Sequence, residues 1–450
     1  MGSTGRVRQH LAVPLFRNAY ALVATTGLTA GLGLVYWGLA AHSYRPTEVG
    51  RAYAAIALLM LLAGITQLNL VNVLPRFLPR AGTGTTRMVL SAYGASALAA
   101  VVVVGIFVSF GGADEVLAVG RSPWGLRAVF VGAVVGWNLF TLQDSVLAGV
   151  RAAVWVPLEN AVFAATKIVL LVLLAGSLPR IGAFVSWTIP AALAIVPVNV
   201  LLFRRILPRH VAASSAQQSL PTGAELTRYV AGDYVGGLFL LSSMTVLPLL
   251  VAQISGFRAN AFFSTAWLVV GAFDLMLANI GVSFTVEGVI DEERLPHLAR
   301  SVARLSAAIA LPTALVLVVG APFVLSLLSS EYRAGGVGVL RLVAVAMPFR
   351  AVTVLFLSLA RVRREIGRLV AVQALSCVLV LGSAALLLPG HGIVGAAAGY
   401  LGAQVLVALV VAAPVLRTLR GEADHGPGHH DGPFVPVLPT ELASPDRVAG

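Results

Sequence analysis

The sequence predicts an all-α polytopic membrane fold, with about twelve transmembrane helices in two six-helix lobes related by a parallel pseudo-twofold. Three observations carry that expectation. Apolar runs of roughly 20 residues recur along the chain, the length a helix needs to cross about 30 Å of hydrocarbon. Arginine alternates between rich and poor connections. The second half repeats landmarks of the first.

The first observation excludes water as the main solvent. Of 450 residues, 58% are hydrophobic and 11% charged, and the mean hydropathy is +0.90. Helices are implied because lipid offers the backbone no hydrogen-bond partner. Spans are expected at 18–41, 52–74, 88–110, 128–149, 158–178, 183–203, 229–251, 260–284, 305–328, 338–360, 368–388 and 392–416. Around them the chain divides into a cytoplasmic N-terminal segment (1–17), an N-lobe (18–203), a linker (204–228), a C-lobe (229–418) and a disordered tail (419–450). The net charge of +12 lies in short loops flanking apolar runs, which argues against nucleic acid.

Orientation follows from the arginines. Alternate connections, from Arg6 through Arg76, Arg204, Arg300 and Arg363 to Arg420, hold 20, and the intervening ones hold 7. Short cytoplasmic loops are the ones enriched in Arg and Lys, so the chain is expected to span the cytoplasmic membrane with both termini facing the cytoplasm.

The repeat is read from ordered matches. Leu147-Ala148, Val150 and Arg151 reappear as Leu359-Ala360, Val362 and Arg363, and Leu178-Pro179 with Gly182 reappears as Leu388-Pro389 with Gly392. Six spans per half is an even number, so both halves enter from the same side. Two such lobes around a central cavity form an architecture that rocks to expose the cavity to either side in turn. GxxxG spacings at Gly27/Gly31, Gly132/Gly136 and Gly395/Gly399 are read as close helix packing.

Ionisable groups inside spans are costly and mark function by default. Lys167 and Arg350 fall near mid-span, one per lobe, and together make a cavity attractive to phosphate or pyrophosphate. The plainer reading pairs Lys167 with Asp144 or Glu159, and Arg350 with Asp274, as ties within the bundle. Asn69, Asn138 and Arg341 complete the candidate cavity set, and Asp233 with Gln373 is the candidate ion-coupling pair for Na⁺ or a proton. Asp233 also reads as a helix-start carboxylate. No catalytic residues, metal site or cofactor motif are found: HExxH, GxSxG, P-loop and Cys/His zinc sets are missing from the sequence. His425, His429, His430 and Asp431 lie in a Gly/Pro-rich tail without the support a metal site needs.

Tyr44, Thr47-Glu48-Val49-Gly50, Asn69-Leu70 and Arg76-Phe77-Leu78-Pro79-Arg80 in the first half carry a family pattern, as do Gly232-Asp233-Tyr234, Ala266-Trp267, Glu331-Tyr332 and Pro389 to Gly395 in the second. In these the chain resembles the Wzx-like polysaccharide flippases of the multidrug/oligosaccharidyl-lipid/polysaccharide exporter superfamily, over about residues 15–418. The resemblance implies a transporter, not an enzyme, that flips a lipid-linked saccharide on a polyprenyl pyrophosphate by alternating access for envelope polysaccharide assembly. It also implies a setting among membrane lipids, glycosyltransferases and a polysaccharide polymerase. Cationic cavity residues of such flippases meet the pyrophosphate, the role this assigns by position to Arg350 and Lys167. Related exporters place an acidic cation-site residue in span seven, which Asp233 matches, but their span-eleven carboxylates are replaced here by Gln373 and Ser376. The competing classes are a multidrug antiporter of the same superfamily, which would favour an anionic cavity, and a membrane glycosyltransferase or polymerase, which would need a large outer loop.

Topology is directly testable. In a Cys377→Ser background, a Ser215→Cys label site is expected to resist an impermeant maleimide in intact cells and to react after permeabilisation; labelling from outside would invert the orientation.

Overall fold

A computed structural model describes residues 31–117, 124–213, 223–290 and 294–421; for 223–233, Val286 and Ile290 the description covers the backbone alone. Described residues form helices and short turns, with no strand among them. In order these are α1 (31–43), α2 (Pro46–Thr66), α3 (Leu70–Phe77), α4 (Thr85–Ser109), α5 (Trp124–Gly149) and α6 (Val156–Ser177). Then come α7 (Gly182–Leu201), α8 (Leu207–Ala213), α9 (Gly223–Ile290), α10 (Leu295–Ser326), α11 (Ser330–Val362) and α12 (Ile366–Arg420).

Two of these are far too long for one crossing. α9 has 68 residues and α12 has 55, and each folds back on itself at a glycine in the left-handed half of backbone space: Gly256 (φ 83°) and Gly392 (φ 57°). Only a residue without Cβ takes such a conformation cheaply. Across the first hairpin the Trp267 indole Nε1 donates to the Met244 carbonyl at 2.9 Å, and across the second Gly399 lies against Ser383. Counting α9 and α12 as two arms each, and α2 with α3 as one crossing, gives the twelve membrane helices in two lobes: α1–α7 and α9–α12.

The sequence repeat has a backbone counterpart. α5 and α11 both end on an arginine with positive φ, Arg151 (61°) and Arg364 (58°). In each case the next amide reaches back five residues, Ala152 to Leu147 O (2.7 Å) and Glu365 to Ala360 O (2.8 Å), which closes a Schellman-type helix end. The structural offset is thus 213, so Arg151 is equivalent to Arg364 and not to Arg363, as the matched letters suggested. Local hydrogen bonding sets this register, and residue identity does not.

Two helices begin well before the expected spans, α10 at Leu295 and α11 at Ser330, because backbone pairing continues past the apolar run, whereas α6 and α7 match theirs to within two residues. The second span, expected unbroken over 52–74, is interrupted. Leu68 (φ 54°) and Asn69 (φ 59°) are both left-handed, and α3 restarts with Asn69 as its cap. Side chains hold the break: Gln67 Nε2 donates to Thr141 Oγ1, Asn138 Nδ2 donates to Thr66 Oγ1 at 2.9 Å, and Asn72 Nδ2 donates to Asn69 Oδ1 at 2.8 Å. A leucine in this conformation costs roughly 1–2 kcal/mol. Around the expected 204–228 linker, α7 continues through a π-helical turn, Leu202–Ile206, into α8, and α9 resumes at Gly223. Linker residues 214–222, the N-terminal segment 1–17, the start of the first span, residues 291–293 and the histidines of the tail lie outside the described residues. Of the GxxxG pairs, Gly395/Gly399 meets the facing helix arm closely, but Gly132 meets no neighbour.

Lobe meets lobe chiefly along α2 and α9. At the Arg-poor end, where the Gly256 hairpin turns, Gly50 lies against the backbone of Phe257 and Ala261. There the buried Asn260 Nδ2 donates to Gly50 O at 2.8 Å and the Arg51 guanidinium stacks 4.7 Å from the Phe257 ring centroid. Tyr332 and Ala261 complete one apolar cluster with Tyr36, Trp37 and Tyr44, so both lobes close on a common core at this end. Toward the Arg-rich end the contact is a seam, where Gly64 meets Leu241 and Tyr234 OH donates to Ile65 O at 2.6 Å.

No Cβ fits at Gly50 without separating α2 from α9. Gly50→Val is therefore expected to pry the Arg-poor end apart, read as increased maleimide reactivity of a Leu328→Cys probe in the Cys377→Ser background; unchanged reactivity would show that this seal is not under tension there.

Candidate functional site

Between the lobes lies a chamber of about 960 Å³. Its wall runs from Trp37, Tyr53 and Trp267, beneath the Arg-poor seal, to Thr285 and Arg361 near the Arg-rich end. Helical periodicity builds each face. On α6, Asn160, Phe163, Ala164 and Lys167 fall on one stripe, and on α5, Trp137, Thr141 and Asp144 do the same. The C-lobe wall is largely aliphatic, contributed by Leu240, Leu268, Leu275, Val282 and Val354, with Asp274 and Arg350 set among them.

The two mid-span cations sit in this one chamber and are held differently. Arg350 makes a forked ion pair with Asp274, Nε to Oδ1 at 2.9 Å and Nη2 to Oδ2 at 3.1 Å, joining α11 to the second arm of α9. Its charge is spent on a partner. Lys167, 5% exposed, makes none of the ion pairs found among the described residues. The ammonium instead lies over aromatic rings: Trp187 at 3.9 Å, Phe163 at 5.0 Å and Tyr36 at 5.1 Å from the centroids. Cation–π attraction of about 2 kcal/mol or more when desolvated holds it there. Neither Asp144 nor Glu159 ties it, contrary to the plainer expectation, because both carboxylates are engaged a turn or more away. Gln143 Nε2 donates to Glu159 Oε1, Asn199 Nδ2 donates to Gln143 Oε1 at 2.8 Å, and Asn160 Nδ2 donates to Asp144 Oδ2 at 3.3 Å. The other oxygens, Asp144 Oδ1 and Glu159 Oε2, are buried with no amide donor, and the two carboxyl groups lie within hydrogen-bonding reach of each other.

Thus Lys167, Arg350, Asp144, Asp274 and Gln373 line the chamber, whereas three other expected cavity residues stand elsewhere. Asn138 is fully buried behind the wall and Asn69 caps α3, both committed to the α2–α3 break. Arg341 is exposed and donates its Nε to Val318 O on α10 at 2.9 Å, since its position on α11 points away from the lobe interface. Gln373 also faces a pocket of about 20 Å³ beside Arg350, Ser376, Tyr400 and Gln404, where the Gln373 and Gln404 Oε1 atoms are buried without partners. Asp233 belongs to the residues described by backbone alone.

The aromatic wall was not singled out from sequence. Tyr36, Trp37, Tyr53, Trp137, Phe140, Phe163 and Trp187 form a continuous set of ring contacts, with centroids 4.9–6.3 Å apart. They come from five helices, and only the Phe163–Lys167 spacing of four signals any part of the set locally. Arg361, one residue past the span expected over 338–360, reaches the chamber because α11 runs on to Val362.

Asp274→Asn leaves the Arg350 charge buried and unpaired, an expected loss of about 3–5 kcal/mol. The double change Asp274→Leu with Arg350→Met is expected to recover most of it. Thermal unfolding in detergent checks both; a neutral single variant would mean that the pair is solvated.

No family model matches the chain, and no curated protein matches it in sequence. Solved structures match in fold. An inward-facing multidrug resistance MATE family transporter of the MOP superfamily superposes with TM-score 0.66 at 16% identity, covering 89% of this chain and 96% of that one. The lipid II flippase MurJ, in an inward closed conformation, gives TM-score 0.66 at 10% identity, covering 90% of each. A MOP superfamily transporter from Pyrococcus furiosus Vc1, described by a binding pocket of reverse polarity, gives 0.61 at 13%, covering 88% and 94%. These neighbours are transporters and not enzymes. The chain has the polytopic helical fold that MATE transporters and MurJ share.

Proposed function

We propose that the chain is a transporter of the cytoplasmic membrane, both termini inside, that flips a saccharide carried on a polyprenyl pyrophosphate by alternating access of the interlobe chamber. One observation carries the substrate class: Lys167 is a cation in a half-open, mostly apolar chamber with no carboxylate spent on it. An ammonium there is costly unless a ligand uses it, and it favours an anion while repelling a cation. The lipid II flippase MurJ among the structural neighbours supports a lipid-linked substrate, and the MATE neighbours support the multidrug alternative. Lys167 weighs against that alternative, because a cationic drug entering the chamber meets a like charge. Glycosyltransferases would supply the substrate on the cytoplasmic side and a polysaccharide polymerase would consume it outside. For coupling to Na⁺ or a proton, Asp233 and Gln373 remain the proposed pair.

In proteoliposomes, wild-type protein is expected to translocate a fluorescent undecaprenyl-pyrophosphoryl saccharide, and Lys167→Met to lower that rate at least tenfold with the Arg350–Asp274 pair intact. Ethidium transport with no movement of the lipid-linked probe would replace this reading with the drug exporter.

A further inference from the structure

The N-lobe wall is more specific than an anion trap requires. A phosphate needs Lys167 alone, and a lipid tail needs only an aliphatic surface of the kind the C-lobe wall already offers. The N-lobe presents flat rings beside the cation. Trp137 and Trp187 stand 6.1 Å apart with planes inclined by 35°, side by side as a shallow platform, and Lys167 Nζ lies 3.9 Å above one of them. The Trp187 Nε1 donor is buried without a partner. Down the same face, toward the Arg-rich end, come Asn160 and the carboxyl of Asp144, whose neighbour is Glu159. Lys167 and Asn160 are seven residues apart, so the stripe extends about 10 Å along α6.

We propose, building on the lipid-linked reading above, that this wall is a glycosyl phosphate subsite that reads the sugar and not the lipid. The Lys167 ammonium takes the phosphate joined to the first sugar, and the faces of Trp137 and Trp187 take that pyranose ring. Asp144, with Asn160, takes hydroxyls of the next ring. The chemistry matches at each point. A pyranose shows C–H hydrogens on its flat face, polarised positive, and these favour the negative face of an indole. Its hydroxyls are donors that satisfy a buried carboxylate oxygen, and their oxygens accept from the indole N–H. Proximity carries the assignment: cation and platform are within one ring's reach of each other, as are phosphate and sugar in a glycosyl phosphate. Lys167 Nζ lies over Trp187, so the sugar reaches that face only as the phosphate draws the ammonium off it; a cationic aromatic ligand offers the ammonium no anion to move to and meets its like charge instead.

The test compares two probes by native mass spectrometry of protein in lipid nanodiscs: undecaprenyl pyrophosphate, and the same lipid carrying a disaccharide. Wild type is expected to bind the glycosylated probe at least tenfold more tightly, equivalent to about 1.4 kcal/mol. Trp187→Leu and Trp137→Leu are expected to bring that ratio toward one, while Trp187→Phe, which keeps a ring, retains most of it. Lys167→Met is expected to weaken both probes. A wild-type ratio near one, with both probes bound, overturns the subsite and leaves the flippase reading standing. A ratio unchanged in folded Trp187→Leu and Trp137→Leu does the same. If neither probe binds and ethidium does, both readings fall together.

Discussion

Hydrocarbon gives a peptide group nothing to bond to, and the architecture follows from that constraint. Each crossing closes its own backbone hydrogen bonds, and wherever the helix is broken another group must serve the freed amides and carbonyls. The breaks are therefore few and accounted for. Gly256 and Gly392 turn the two long helices back on themselves at the membrane edge. Arg151 and Arg364 reverse the chain through the same five-residue return bond in each lobe. The interruption at Leu68–Asn69 lies within a crossing; there Leu70 N turns back to Gln67 O and Asn72 N and Val73 N to Asn69 O, while the side chains of Gln67, Asn138 and Asn72 brace the break through Thr141, Thr66 and Asn69. Asn69 and Asn138, which sequence alone offers as cavity polar groups, are thus consumed in bracing that break.

The same constraint sorts the charges. A cation below the membrane surface needs a counter-charge, a polarisable face or a ligand. Arg350 has the first, in Asp274, and joins two C-lobe helices through it. Lys167 has the second, three aromatic rings in the N-lobe. The difference matters because a forked guanidinium–carboxylate pair is hard to part, whereas an ammonium on ring faces gives up only a weak contact when an anion arrives. Pseudo-symmetric lobes thereby present an asymmetric chamber: one wall is aliphatic with a neutralised pair, the other aromatic with an open charge.

Closure at the Arg-poor end rests on small residues. Gly50 lets α2 approach the backbone of α9 at Phe257 and Ala261, and Asn260 adds a buried hydrogen bond to the carbonyl exposed by that approach. The seam continues through Gly64 against Leu241 and Tyr234 to Ile65 O. These contacts join α2 to both arms of α9, so a movement of one lobe against the other must break or roll along this line.

Sequence by itself determined the helical class, the run lengths and the alternation of arginine. Each of these depends on the lipid solvent and on residues adjacent along the chain. It also brought forward Lys167, Arg350, Asp144 and Asp274, since an ionisable group inside an apolar run is conspicuous without a fold. Only the tertiary structure decided which of them are spent. Asn138 and Asn69 turn to a helix break, Arg341 turns outward to Val318, Arg350 closes on Asp274, and Lys167 turns to rings drawn from α1, α6 and α7. Tryptophan and phenylalanine in an apolar run look like any other lipid-facing residue. What makes Trp137 and Trp187 a wall is that two helices distant in sequence aim them at the same space, and that geometry is set by packing between helices, which no local pattern encodes.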